Sequence, residues 1–243
     1  MRSPFKKPLL GVVCSTLAII GAQHVLASNA SAADVYVVHG INGSDLGADA
    51  SLPVDVKVND LCVLSGVTFK DTAGPFDLPT GPNQIDVLLS DSVGNCEGTL
   101  AISKSFSFAL TENATLIAHL DGNGTPALSK FTNQVQPLGA HDARVTVVHT
   151  AFAPPVTVTV SPSEADGQGV TLEALRNGDQ SFARDVPVGT YNVEVFPAGE
   201  MQASRPVLAI SDLSLEEQTA YTAFAVGSVQ NQLDVVLLGQ DLK

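Results

Sequence analysis

Two histidines stand at matching ends of apolar, β-branched runs: His39 in VYVVHG (35–40) and His149 in VTVVHT (145–150). A metal site built on either one needs further donors close by, because zinc and its neighbours take three or four ligands from His, Cys and carboxylates. Asp45 and Asp49 follow His39, but TAFAPP, the stretch after His149, carries no carboxylate, and no other His or Cys recurs in both places. The structural alternative is an imidazole that ends its strand and bonds through one nitrogen to a backbone carbonyl of the Pro-containing loop that follows. A buried polar group must find a partner, and here one is local. His39 and His149 are therefore expected to be structural, and His119 and His141, which have no counterparts, read as surface or loop residues.

Asp121, Asn123 and Thr125 in DGNGT have the alternate-residue spacing that opens a calcium loop. The loop does not continue: Pro126 stands where a glycine is needed and Thr132 where a bidentate glutamate belongs. A hairpin turn accounts for DGNG, with calcium shared between loops, drawing on Asp121, Asn123, Asp45 or Asp49, as the alternative. No GxSxG, HExxH, phosphate loop or CxxC pair occurs, so the chain is expected not to be an enzyme. A hydrolase site assembled from distant loops would leave no such signature and stays open.

The chain begins with Arg2, Lys6 and Lys7, then the apolar PLLGVVCSTLAIIGA, then ASNASAA, the pattern of a secretory signal over residues 1–33. No second apolar segment long enough to span a bilayer follows. Removing the signal takes three of 12 basic residues and none of 25 acidic ones, leaving a formal net charge of −16. Such a surface repels nucleic acid and anionic headgroups, which need clustered Lys and Arg. Cys62 and Cys96 are the cysteines that remain, and in an oxidising compartment they are expected to form one disulfide. With 5% aromatic residues and no tryptophan, little supports a carbohydrate-stacking platform.

The elements that must position these residues come in two sets. PVDVKV (53–58) matches PVTVTV (155–160), FDLPTGPNQIDVLL (76–89) matches ARDVPVGTYNVEVF (183–196), and FALTENATLIAHLDG (108–122) matches LSLEEQTAYTAFAVG (213–227). Order is kept and the offset drifts by only a few residues, so the chain is a tandem repeat. The division falls at VQPLGAHD (135–142) and predicts domains at 34–137 and 142–243. Within each repeat the apolar period is two, and the segments are separated by Gly, Pro, Asn and Asp clusters, which predicts strands and turns. Each half is thus expected to be a small antiparallel β-sandwich, immunoglobulin-like or related. Pro79 with Gly81 and Pro187 with Gly189 are expected to make the tight turns that set the next strand. TLEALR (171–176) is the one stretch with a helical look, although the first repeat reads as strand there.

The second half, through RVTVVHTAFAPPVTVTV, DVPVGTYNVEVFPAG and YTAFAVG, resembles the bacterial domain-of-unknown-function family numbered 4397. The first half is similar to a diverged copy. It carries the added GSDLGADASL, a turn PTGPNQIDV in place of the tyrosine-bearing one, and a hairpin SDSVGNCEGTL that contains Cys96. The resemblance implies export and tandem occurrence in surface-associated bacterial proteins, and it brings no catalytic residue. The expected protein is a secreted, non-enzymatic module of structural or adhesive role, outside the cell or in the periplasm. It has no membrane span after signal removal, and its partner is a protein, a cell surface or another copy of itself. The runner-up is a binding protein for a small ligand or a metal ion such as calcium.

Overall fold

The computed structural model describes residues 32–91, 95–164, 169–200 and 205–243. The expected signal segment lies outside these except for its last two residues, as does the tip of SDSVGNCEGTL. Strands run through both halves. The first contains β1 (Ala32–His39), β2 (Val54–Val58), β3 (Leu61–Val67), β4 (Thr72–Pro79), β5 (Gly81–Leu89), β6 (Thr99–Phe108), β7 (Asn113–Leu120) and β8 (Pro126–Thr132). The second contains β9 (Asp142–His149), β10 (Val156–Pro162), β11 (Val170–Leu175), β12 (Asp179–Gln180), β13 (Arg184–Pro187), β14 (Gly189–Pro197), β15 (Leu208–Leu215), β16 (Thr219–Gly227) and β17 (Leu233–Asp241).

Each half is a sandwich of two sheets. Sheet order is β4-β1-β7-β8 over β3-β2-β5-β6 in the first, and β12-β9-β16-β17 over β11-β10-β14-β15 in the second, with β13 also pairing β9. Pairing is antiparallel except at the centre of one sheet per half, where β1 runs parallel to β7 and β9 parallel to β16. TLEALR is strand through Leu175: Val170, Thr171 and Leu172 pair with Val160, Thr159 and Val158 of β10. Tertiary pairing overrides the weak helical preference of so short a run.

The alternation of each strand decides what it packs against. On β2 and β5, Val54, Val56, Val58, Ile85 and Val87 face Val35, Leu116 and Leu128 of the opposing sheet and form the first core. Val156, Val158, Val160, Val195 and Leu215 do the same with Ala143 and Val147 in the second. The other faces of β1, β7, β9 and β16 are also covered. Val38, Ile117 and Phe131 from the first half meet Val148, Phe224, Val226, Val236 and Leu238 from the second. The two sandwiches therefore share a third core and stack as four sheets, with the two central ones buried on both faces. Strands so placed read as near-continuous apolar or small residues, as NATLIAHL does. Each large apolar side chain buried there contributes about 1.5–3 kcal/mol from area removed from water.

The turns before β5 and β14 hold the same carbonyl by different means. Tyr191 donates its hydroxyl hydrogen to Pro187 O at 2.7 Å, and in the first copy the Asn83 amide donates to Pro79 O at 2.8 Å. Gly81 between them has φ of 91°, a conformation that side-chain-bearing residues resist. Strand register also shifts one sequence match: Phe108 opposes Gly81 as Leu215 opposes Gly189, so Phe108, and not Leu110, is the counterpart of Leu215. Burial agrees, since Leu215 is enclosed and Leu110 exposed.

Candidate functional site

β1 and β9 deliver His39 and His149 to equivalent places at the end of each sandwich, both buried. His39 Nε2 donates to Leu52 O at 2.8 Å, and its Nδ1 faces the Ile41 amide at 3.4 Å. His149 Nε2 donates to Pro154 O at 3.1 Å, while its buried Nδ1 has no hydrogen-bond partner. His119 corrects the surface reading: it is buried on β7, with Nδ1 on Leu120 O at 3.0 Å and Nε2 on Ser129 Oγ at 2.8 Å. Its side chain falls in step with Thr115 and Ile117 on the face of β7 turned to the second half.

Burial lowers the pKa of all three of these imidazoles, so the neutral ring is the folded form. Below the ordinary histidine value of about 6.5 the unfolded chain binds protons that the folded chain refuses, and stability falls as pH falls. The melting temperature is expected to hold above about pH 7 and to drop between about pH 6.5 and 5, before carboxylates begin to titrate. Thermal melts across that window check this, and a flat profile would contradict it.

The acidic candidates are separated and locally engaged. Asp121 Oδ1 accepts from the Asn123 and Thr125 amides at 2.8 and 2.9 Å, an Asx turn that closes the β7–β8 hairpin. Asp49 Oδ1 accepts from the Ser51 amide and hydroxyl at 2.9 and 2.6 Å. Asp45, in a 3-10 turn at Gly43–Leu46, reaches the second half, where its Oδ1 accepts from Ser228 and Asn231 at 2.5 Å each. Asn42 beside it lies 3.4 Å from Gln232. The GSDLGADASL segment is thus a clasp onto the β16–β17 turn. Among the described residues no three His, Cys, Asp or Glu side chains gather as a metal site. Melts with excess calcium and with EDTA are expected to coincide, and a shift of several degrees would restore the calcium reading.

Two polar residues that sequence reasoning passed over tie down the connecting segment and the junction of the halves. Arg144 on β9 forks onto Asp185 at 2.7 and 2.9 Å, and its third nitrogen donates to Gln136 O at 2.8 Å, fixing the connecting segment. Hydrogen bonding to Asp185 raises its pKa. Asn177 donates to Leu120 O at 2.9 Å and Ala151 O at 2.8 Å, one carbonyl from each half. Lys70 and Asp234 add an ion pair between halves at 2.7 Å. Nothing in local spacing marks such residues, because their partners are remote in sequence. Cys62 and Cys96 form the expected disulfide, which ties β3 to the segment before β6.

The model of a family described as Domain of unknown function (DUF4397) matches residues 33–159 and again 153–243. The chain belongs to the DUF4397 family. It does so as two tandem DUF4397 copies, in agreement with the duplicated β-sandwich. No curated protein matches the chain. Among solved structures, a candidate cell adhesion protein of Bacteroides ovatus ATCC 8483 is 8% identical, covering 88% of this chain and 98% of its own, with a TM-score of 0.26. The Bacillus anthracis TIE protein is 12% identical, over 82% of this chain and 34% of its own, at a TM-score of 0.23. A candidate adhesin of Bacteroides ovatus is 10% identical over 86% and 95%, at 0.22. Scores this low carry no argument about what a DUF4397 protein does.

Proposed function

We propose that this DUF4397 protein is an exported, non-enzymatic structural or adhesion module of a bacterial surface, acting through the outer faces and end loops of a rigid double sandwich. The observation that carries this reading is that most of the candidate site residues serve the fold. His39, His119, Arg144, Asn177 and Asp45 are each engaged with backbone or with the other half, which supports action through shape and surface. The disulfide supports an oxidising location. The formal charge of −16 after loss of residues 1–33 supports a solvated exterior that nucleic acid does not approach. Phe182, at 85% the most exposed large apolar side chain among the described residues, is the contact point that the test below removes.

The test is attachment. Cells of the source bacterium are applied to a surface coated with the purified full chain, with and without the same protein free in solution. The expected result is retention that the free protein blocks and that Phe182→Ser reduces while leaving the melting temperature unchanged. Retention no greater than on an albumin coat, together with recovery of the native protein only from the cytoplasm, would overturn the reading.

A further inference from the structure

Strand register places Leu116 of the first copy and Ala223 of the second at one position: Leu116 opposes Val37 on β1, and Ala223 opposes Val147 on β9. By the same registers Lys104 and Lys130 stand where the second copy has Ile210 and Leu237. In the first sandwich these lysines close the seam between β6 and β8. Lys104 donates across it to Leu128 O and Lys130 to Ser107 O, each at 2.8 Å, and their ammonium groups sit over Phe106 and Phe108. Beneath them Leu116 fills the interior, and a void of only about 10 Å³ remains.

The second sandwich lacks both devices. Among the described residues no hydrogen bond joins β15 to β17, and a cavity of about 250 Å³ runs between its sheets. It is lined by Val147, Val158 and Ala223 from the interior and by Ile210, Leu213 and Leu237 from the two strands of the seam. Protein cores do not ordinarily leave such space, and the first copy demonstrates that the same fold fills it with one leucine and two lysines. His149 also lines the cavity. Its Nε2 gives its hydrogen to Pro154 O, so the Nδ1 of the neutral ring is an acceptor, and that atom is buried without a partner. The matching atom of His39 faces the Ile41 amide instead. An apolar cavity with one unmet acceptor has the make-up of a small-molecule site.

We infer that the second copy binds an apolar small molecule bearing one hydrogen-bond donor, its aliphatic body between the sheets and its hydroxyl on His149 Nδ1. The space holds about eight water-sized groups at ~30 Å³ each, the scale of a medium-length alkyl alcohol. This goes beyond the surface role proposed above and stands or falls separately, since it is read on the isolated protein.

The experiment is a methyl-resolved NMR titration of the full chain with 1-octanol and with its isomer heptyl methyl ether, which has no donor. The expected result is shifts confined to cavity methyls such as those of Val147 and Leu237, with octanol bound roughly tenfold more tightly than the ether. Ala223→Leu, which installs the residue of the first copy, is expected to weaken both at least tenfold while melting no lower than wild type. Absence of shifts, or an unchanged response in Ala223→Leu, would overturn the site, and equal affinity for alcohol and ether would overturn the role of His149. A dimer that octanol dissociates in sedimentation would overturn it too, by giving the seam to a second copy of the chain.

Discussion

Phe224→Ala is expected to lower stability by about 3–5 kcal/mol and to turn one thermal transition into two. Phe224 is fully enclosed in the core shared by the two copies and meets Phe131 edge to face, with ring centroids 6.4 Å apart. Truncation removes the largest fully buried side chain of that core, and with it the contact across the halves; the cavity left cannot be filled by sheets held on both sides. Because each sandwich keeps its own core, loss of the shared one should uncouple the two unfolding steps before it abolishes either. Calorimetry reads both effects. Phe182→Ala, at an exposed site, should stay within about 0.5 kcal/mol of wild type. If Phe224→Ala behaved like Phe182→Ala, the shared core would not be holding the copies together.

Opening the Cys62–Cys96 disulfide is the second large effect. Its sequence separation of 34 gives a loop-closure contribution of about 3–4 kcal/mol. The bond lies wholly in the first copy, where Cys96 is buried below β2 and β3 and Cys62 is exposed. A Cys62→Ser, Cys96→Ala variant should therefore lose stability, with the largest rise in hydrogen exchange in β2, β3 and β5 beside the lost bond and a smaller rise in β10 and β14, which the shared core couples to them. Full protection of β10 and β14 beside exposed β2, β3 and β5 would mean that the first sandwich unfolds on its own. Unchanged protection everywhere would contradict a stabilising bond.

Much of this was legible in the sequence. The duplicated VYVVH and VTVVH, the period-two segments and the paired Pro and Gly turns gave the β-sandwiches and the tandem copies, because alternation and turn chemistry are local properties. What stayed hidden depends on partners remote in the chain. Thr115, Ile117 and His119 alternate correctly on β7, but small and polar residues on that face look the same whether water or another sheet covers them. That is why His119 read as a surface residue. The parallel pairing of β1 with β7 and β9 with β16 left no local mark either. The match of Leu110 to Leu215 slipped by two residues because a shift of two keeps every side chain of a period-two strand on its own face, so alternation does not detect it. The cavity was invisible for the same reason: Ala223 is an ordinary strand residue until register sets it against Leu116.

The central claim is that two DUF4397 copies make one body, joined by a core that neither owns alone. Differential scanning calorimetry of the full disulfide-bonded chain tests it directly. A single transition whose van't Hoff enthalpy equals the calorimetric enthalpy is the result predicted. Two resolved transitions, or a van't Hoff enthalpy near half the calorimetric one, would show two independent sandwiches and contradict it.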